Sequence, residues 1–165
     1  MKKEKLAYWA GFFDGEGHVE LAFTNPIPSS RRGRYMFQIW ITQWTKTPYI
    51  LFAELLENFG GKITKSQKNV TNIFKWHIAG PNGRQSLEAL LPYLRKKKRQ
   101  AELGIEMQRR MDFYRNERRG RPLPESEILD RDAILKEYSS LIEGNRPKRK
   151  LNLGQYHLLK GRKPE

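Results

Sequence analysis

The residues best suited to chemistry lie in one short string near the start of the chain, Asp14-Gly15-Glu16-Gly17. Gly15 and Gly17 free the backbone at the point where a carboxylate must emerge, because glycine adopts conformations that other residues avoid. The three histidines show no metal-ligand spacing, and the absence of cysteine excludes a disulfide scaffold and a zinc–cysteine module. The string alone is also compatible with an ordinary core helix that ends at glycines.

The apolar segment before this string carries small residues four positions apart, at Ala7, Gly11 and Gly15. On a helix these positions share one edge, which has little side-chain bulk. Two such edges can approach closely and pack against each other. This spacing predicts a helix–helix contact along the edge.

The charge of the chain points to a polyanionic partner. The sequence has 32 Lys and Arg against 18 Asp and Glu, a formal net charge of +14. Residues 18–46 carry four basic side chains against Glu20 alone, and residues 61–80 carry four lysines and no acid. Nucleic acid is the usual partner of such a protein, and an acidic lipid surface or a ribosome is the alternative.

Length and composition favour a single folded domain over residues 1–165. With 38% hydrophobic and 12% aromatic residues, the chain can bury a core, which excludes wholesale disorder. The longest apolar run, Leu6 to Phe13, is far shorter than the roughly 20 residues that cross a bilayer. This run leads directly into acids rather than a cleavage site, so we expect a soluble, intracellular protein without a secretory signal.

Hydrophobic periodicity predicts an α+β fold with helices on one face of a four-stranded antiparallel sheet. Its core spans residues of about 5–115, and a basic helical extension spans about 116–165. The predicted elements are a helix at 5–13, strands at 18–24 and 36–43, a helix from Thr47-Pro48 to Phe59, strands at 62–66 and 72–78, a short helix at 86–91, a long helix from Pro92 to about Tyr114, a linker at 120–124 and a last helix at 128–142.

The polar and basic face of this sheet is predicted to bind nucleic acid. On a DNA duplex, a ribbon of strands can enter the major groove and read base edges. The candidates from the first strand pair are Glu20, Ala22, Thr24, Arg34, Gln38 and Trp40, with Arg31 and Arg32 beside them. The candidates from the second pair, whose facing the pattern leaves open, are Lys62, Thr64, Ser66, Asn72, Lys75 and His77. A large ring such as Trp40 on a solvated face requires either DNA contact or a covering loop.

Further basic residues are expected to bind backbone phosphates, which adds affinity that falls with salt and carries little specificity. They are Arg115, Arg118, Arg119, Arg121, Lys148, Arg149 and Lys150.

The segment Leu6–Gly17 resembles the motif of the LAGLIDADG homing endonucleases. The matching core is Ala10-Gly11-Phe12-Phe13-Asp14-Gly15-Glu16-Gly17. The motif closes an apolar helix and leads into a strand, in a basic protein that has the element order of the family. By this pattern the resemblance covers most of residues 5–110.

The resemblance implies a metal-dependent active site. In the family the last acid of the motif binds the catalytic cation together with the preceding carbonyl, which here gives Glu16 and Gly15. Hard oxygen ligands suit Mg²⁺, with Mn²⁺ or Ca²⁺ as substitutes. Glu16 stands where the family name has Asp, but both acids occur in the family. Asp14 is expected to have a structural role, forming hydrogen bonds at a helix end.

The resemblance also implies two supporting catalytic residues. Gln43, at the end of the second strand, corresponds to a polar residue that positions an active-site water. Lys97 aligns best with a lysine near the scissile phosphate, although Lys96 or Lys98 would take this role if the register slips by one.

One motif per chain implies a two-fold homodimer, since a single Glu16 cannot reach a phosphate on both strands. The expected interface consists of Ala7, Ala10, Gly11 and Gly15. The resulting prediction is a site-specific, Mg²⁺-dependent endonuclease of the type encoded in mobile introns, which cuts one phosphodiester per strand of a long, nearly palindromic DNA duplex. An RNA maturase that assists intron splicing and a non-catalytic DNA-binding regulator are the alternatives.

Overall fold

The computed structural model describes residues 1–24, 34–44, 50–68, 71–117 and 122–142. Its elements are α1 (Lys3–Glu16), β1 (Gly17–Thr24), β2 (Arg34–Trp44), α2 (Ile50–Phe59), β3 (Lys62–Lys68), β4 (Thr71–Ala79), α3 (Gly80–Leu90), a short 3₁₀ turn (Leu91–Tyr93), α4 (Lys98–Glu117) and α5 (Glu125–Ile142). The predicted α+β class and four-stranded antiparallel sheet are confirmed. Within the described ranges, no helix is both long and apolar enough to span a bilayer.

The chain divides into two compact units, which are described separately. The first contains Met1–Glu20 and Phe37–Gln108, and the second contains the described residues of Leu21–Met36 and Arg109–Glu165. The expectation of one domain over residues 1–165 stays a prediction. The predicted helix start at Thr47-Pro48 and residues 120 and 121 of the predicted linker at 120–124 lie outside the described residues.

The sheet has the strand order β1-β2-β4-β3, and its pairing fixes which side chains share a face. Trp40 of β2 pairs with His77 of β4, which pairs with Lys62 of β3. We call the face that carries this row the outer face. The alternate residues of β2, such as Ile39 and Ile41, are buried as predicted.

The register settles the facing of the second strand pair. Thr64 pairs with Lys75, and both share the outer face with the row of His77 because side chains alternate along a strand. Asn72 is two residues from the buried Phe74 and therefore lies on the opposite face. The prediction that Asn72 belongs to the outer face is wrong.

The core of the first unit packs around α1. Trp9 is 1% exposed and meets the rings of Phe12 and Phe59 edge-on, with ring centroids 5.9 and 6.2 Å apart. Helix α4 approaches through Gly104, where a Cβ atom would lie 2.8 Å from Cε2 of Phe37. A side chain at residue 104 would therefore displace a buried ring.

Three predicted helix boundaries are wrong. Helix α1 does not end at Phe13 but continues through Gly15 to Glu16, so the carboxylate stands on the last turn of the helix. Pro92 does not open a long helix, because it lies in the 3₁₀ turn and α4 begins only at Lys98. Helix α3 starts before the predicted residue 86, at Gly80, whose φ of +66° suits glycine.

The second unit is held by a cluster of buried polar side chains. The Tyr35 hydroxyl donates to Oδ1 of Asp132 at 2.7 Å, and burial together with this carboxylate raises the pKa of Tyr35. Arg131, which is 5% exposed, donates to Glu127 at 2.7 Å. Arg110 donates to the other oxygen of Glu127 at 2.8 Å. Removing one partner would leave a buried charge uncompensated, which is strongly destabilising.

Candidate active site and nucleic-acid interface

Glu16 is the last residue of α1, and its carboxylate is exposed. Its Oε2 atom accepts a hydrogen bond of 3.0 Å from Nε2 of Gln43, near the end of β2. Gln43 pairs with Phe74, so it lies on the face opposite the outer face. The fold thus brings together two of the three predicted catalytic residues, which are 27 positions apart in sequence.

Asp14, two residues before Glu16, binds the backbone of the segment that precedes α4. Its Oδ2 atom accepts the N–H of Arg95 at 2.7 Å and of Lys96 at 3.2 Å, and its Oδ1 atom accepts the N–H of Lys97 at 2.8 Å. These groups precede a helix start, where backbone N–H groups lack intrahelical acceptors. The structural role expected for Asp14 fits these contacts, which serve the start of α4 and explain why that helix does not begin at Pro92.

The environment of Asp14 keeps its carboxylate ionised. Burial alone would raise the pKa of this group, but the backbone N–H groups of Arg95, Lys97 and Lys96 and the Lys97 ammonium outweigh that effect. The pKa of Asp14 therefore lies below its usual value of 3.8.

Lys97 returns its side chain to the same motif. Its Nζ atom donates to the carbonyl oxygen of Asp14 and lies 3.5 Å from that of Gly15. Burial, aided by the neighbouring Lys96, lowers the pKa of Lys97, while Asp14 and Glu16 act in the opposite direction. Lys96 and Lys98 are exposed, whereas the Lys97 side chain turns back to the motif. The catalytic role of Lys97 stays a prediction.

The small-residue edge of α1 is largely as predicted. Ala7, Gly11 and Gly15 are exposed, and among the described residues a Cβ atom at either glycine would meet nothing within 4 Å. Ala10 is 0% exposed and belongs to the core of its own unit, so its place in the expected dimer interface is wrong. Tyr8, three residues before Gly11, is 52% exposed on the same helix.

On the outer face, two described side chains lie against the ring of Trp40. The His18 ring stacks on it with centroids 4.4 Å apart, and Nζ of Lys75 lies 3.7 Å from its centroid. A cation over an indole face is attracted by the ring quadrupole. Trp44, on the same side of β2 and 60% exposed, is a candidate that the sequence reasoning missed.

Most other predicted DNA-binding residues of the first unit have accessible positions on the outer face. Lys62, Thr64 and Ser66 on β3 are exposed. His77 is half-buried, and burial together with Lys75 and Lys62 lowers its pKa. Neutral His77 therefore adds no charge to this face at neutral pH.

Three of the predicted strand residues, Ala22, Thr24 and Arg34, lie in the described part of the second unit. The Thr24 hydroxyl donates to the carbonyl of Arg34 at 3.1 Å, and Arg34 is exposed. Arg115 on α4 is also exposed. The remaining candidates, which lie outside the described residues, are Arg31, Arg32, Arg118, Arg119, Arg121, Lys148, Arg149 and Lys150.

Comparison with solved structures places this geometry in a known fold. I-CvuI, a homing endonuclease in complex with the I-CreI target in the presence of Mg, matches 96% of this chain and 94% of its own with a TM-score of 0.72 and 20% identity. The archaeal intron-encoded I-Vdi141I, complexed with DNA, matches 98% and 96% with a TM-score of 0.65 and 17% identity. The LAGLIDADG homing endonuclease I-SmaMI, bound to cleaved DNA, matches 86% of this chain and 45% of its own with a TM-score of 0.64 and 15% identity.

This chain has the LAGLIDADG homing endonuclease fold. The resemblance carried by Leu6–Gly17 is thereby confirmed at the level of the fold. No protein-family model and no curated protein matches the sequence.

The donor set at the motif fits a hard divalent cation, as a LAGLIDADG site would require. The exposed Glu16 carboxylate and the Gly15 carbonyl are oxygen ligands of the kind that Mg²⁺ prefers. Among the residues that the structure describes, no cluster of three or more His, Asp or Glu could hold a metal. One chain therefore offers only part of a coordination shell in these ranges, and water, phosphate or a second chain would complete it.

The Asp14 contacts predict a measurable stability effect. Asp14→Ala should lower the free energy of unfolding by about 1–2 kcal/mol, the usual cost of removing a helix-capping carboxylate. Asp14→Asn, which keeps one carbonyl acceptor, should lose less. Urea unfolding near neutral pH measures both, with the exposed Glu57→Ala as a control.

The stability difference between the wild type and Asp14→Ala should also depend on pH, in a direction that the pKa of Asp14 sets. Because the pKa of Asp14 is lowered in the folded state, its stabilisation is complete above the unfolded value and disappears as pH falls through the folded value. The difference between the wild type and Asp14→Ala should therefore shrink in strong acid. Equal stabilities at neutral pH would contradict the role given to Asp14.

Proposed function

We propose that this protein is a site-specific DNA endonuclease, of the type encoded in mobile introns, that cuts both strands of a duplex as a homodimer with Mg²⁺. The observation that carries the proposal is the convergence of Glu16, Gln43 and Lys97 at the end of α1. A binding module has no need to hold an exposed carboxylate beside an amide and an ammonium group. This argument favours the enzyme over a non-catalytic regulator.

Each of the three side chains has a role that its contacts support. Gln43 donates to Glu16 and so orients the carboxylate that would bind the cation together with the Gly15 carbonyl. Lys97 keeps a positive charge beside these oxygens, where it can stabilise negative charge that develops on a phosphate. When bound, a divalent cation would lower the pKa of an attacking water and neutralise phosphate charge.

The DNA partner is supported by the charge and by the outer face. A net charge of +14 attracts a polyanion, and the exposed Lys62 lies in the same row as Trp40 and His77. The three solved structures named above are complexes with DNA. We infer that duplex DNA lies along this face.

The homodimer follows from the number of carboxylates and from the exposed edge of α1. One Glu16 serves one strand, so cutting both strands requires a second copy of the chain. The edge formed by Ala7, Gly11 and Gly15 has no bulk to prevent close approach of a second α1. In addition, the chain spans only 45% of the I-SmaMI chain, which therefore has room for two such domains.

The metal-binding role of Glu16 predicts that a variant at this position loses DNA cleavage but still binds DNA. Glu16→Gln removes the charge and keeps the shape, so cleavage should fall by at least about 100-fold, as the loss of several kcal/mol of metal-assisted stabilisation requires. The dissociation constant for DNA in Ca²⁺ should change little. Gel-based cleavage and fluorescence anisotropy measure the two quantities.

Glu57→Gln is the matched control, because it makes the same charge change on an exposed helix. It should leave both quantities as in the wild type. Retained cleavage by Glu16→Gln would refute the metal-ligand role, whereas absence of any DNA cleavage by the wild type with Mg²⁺ would refute the endonuclease itself.

The dimer contact predicts a steric effect at Gly11. A leucine there would fill the space that a second α1 needs, while the absence of atoms within 4 Å of the added Cβ leaves the fold of one chain undisturbed. Gly11→Leu should therefore sediment as a monomer at concentrations where the wild type is a dimer. An unchanged dimer with native unfolding behaviour would show that the contact lies elsewhere.

A further inference from the structure

A carboxylate and an amide side chain are hydrogen-bonded to each other on the outer face. Glu20 of β1 and Gln38 of β2 are both half-buried, and Nε2 of Gln38 donates to Oε2 of Glu20 at 2.5 Å. The neighbouring contact between His18 and Trp40 follows the same antiparallel pairing. The hydrogen-bonded pair is therefore part of the regular ribbon rather than a chance meeting of surface chains.

The carboxylate of this pair is unusual in its surroundings. Among the described outer-face residues of the first unit, Glu20 is the only acid, and the cations Lys62 and Lys75 lie on the same face. A carboxylate near DNA phosphates is repelled by them, at a cost of about 1 kcal/mol per close pair in water. Glu20 is therefore suited to hydrogen-bond donors on a base edge and not to the backbone.

The contact with Glu20 also fixes the orientation of the Gln38 amide. A carboxylate only accepts hydrogen bonds, so the NH₂ group of Gln38 must point toward Glu20. The remaining groups of the pair are the Gln38 carbonyl oxygen, one further amide hydrogen and the free acceptor positions of Glu20. Acceptors thus outnumber donors on the combined surface.

We propose that Glu20 and Gln38 act as one unit that reads a base with an exocyclic amino group in the major groove. This inference rests on the proposed function, since it requires DNA on the outer face. Adenine offers its N6 amino group and cytosine its N4 amino group, whereas guanine O6 and thymine O4 are acceptors that an acceptor-rich unit disfavours. At one position of each half-site, adenine or cytosine is preferred over guanine or thymine.

Selection of bound sequences from a random duplex DNA library tests this preference, because the protein itself then chooses the target. The full chain in Ca²⁺ is compared with Glu20→Gln and with Glu57→Gln, which makes the same charge change away from the sheet. The wild type and Glu57→Gln should favour amino bases at one half-site position by about tenfold. In Glu20→Gln, which keeps a side chain of the same shape, this preference should fall to about twofold or less.

A second measurement identifies the amino group directly. In the selected duplex, adenine at that position is replaced by purine, or cytosine by 2-pyrimidinone, which removes only the amino group. Wild-type affinity should fall about tenfold, while Gln38→Ala or Glu20→Gln should be nearly indifferent to the replacement. Loss of discrimination in Gln38→Ala assigns the contact with the amino group to the Gln38 amide, and loss in Glu20→Gln alone assigns it to the Glu20 carboxylate.

The outcomes separate this inference from the proposed function. If the wild type enriches a sequence that Glu20→Gln enriches unchanged, the reading unit is refuted and the endonuclease stands. If the affected position prefers guanine or thymine, the unit is likewise refuted. If the wild type enriches no sequence, site-specific DNA binding itself fails, and the inference fails with it.

Discussion

Three backbone hydrogen bonds to the Asp14 carboxylate are the constraint on which the candidate active site depends. They connect the last turn of α1 with residues 95–97, which lie 81 to 83 positions further along the chain. Because these bonds fix the segment before α4, the Lys97 ammonium can return to the carbonyls of Asp14 and Gly15. The motif therefore supplies the Glu16 carboxylate and also, through Asp14, the contacts that bring the Lys97 ammonium close to it.

The site is divided among elements that serve different purposes. Helix α1 buries Trp9 and Phe13 in its own unit while exposing Gly11 and Gly15 on an edge free of bulk. Strand β2 carries Gln43 toward Glu16 and carries Trp40 on the outer face. One strand thus carries a residue of the candidate active site near its end and part of the surface proposed to bind DNA along its length.

Local patterns predicted the features that depend on local sequence. Alternation along β2 correctly identified Ile39 and Ile41 as buried. Gln43, whose Nε2 lies 3.0 Å from Oε2 of Glu16, was identified through the family resemblance and not through a local pattern. The errors arise where residues far away in the sequence determine a helix boundary or the facing of a strand. The start of α4 depends on Asp14, and the side of the sheet occupied by Asn72 depends on a register that short polar strands do not encode.

The most direct test of the account is single-turnover cleavage by Lys97→Met and Lys96→Met, on a duplex that the wild type cuts. Both variants remove one ammonium group from adjacent residues, but only that of Lys97 lies beside the Gly15 carbonyl. The account predicts a rate at least about 100-fold lower for Lys97→Met and within about threefold of the wild type for Lys96→Met. Equal losses in the two variants, or a larger loss in Lys96→Met, would contradict it.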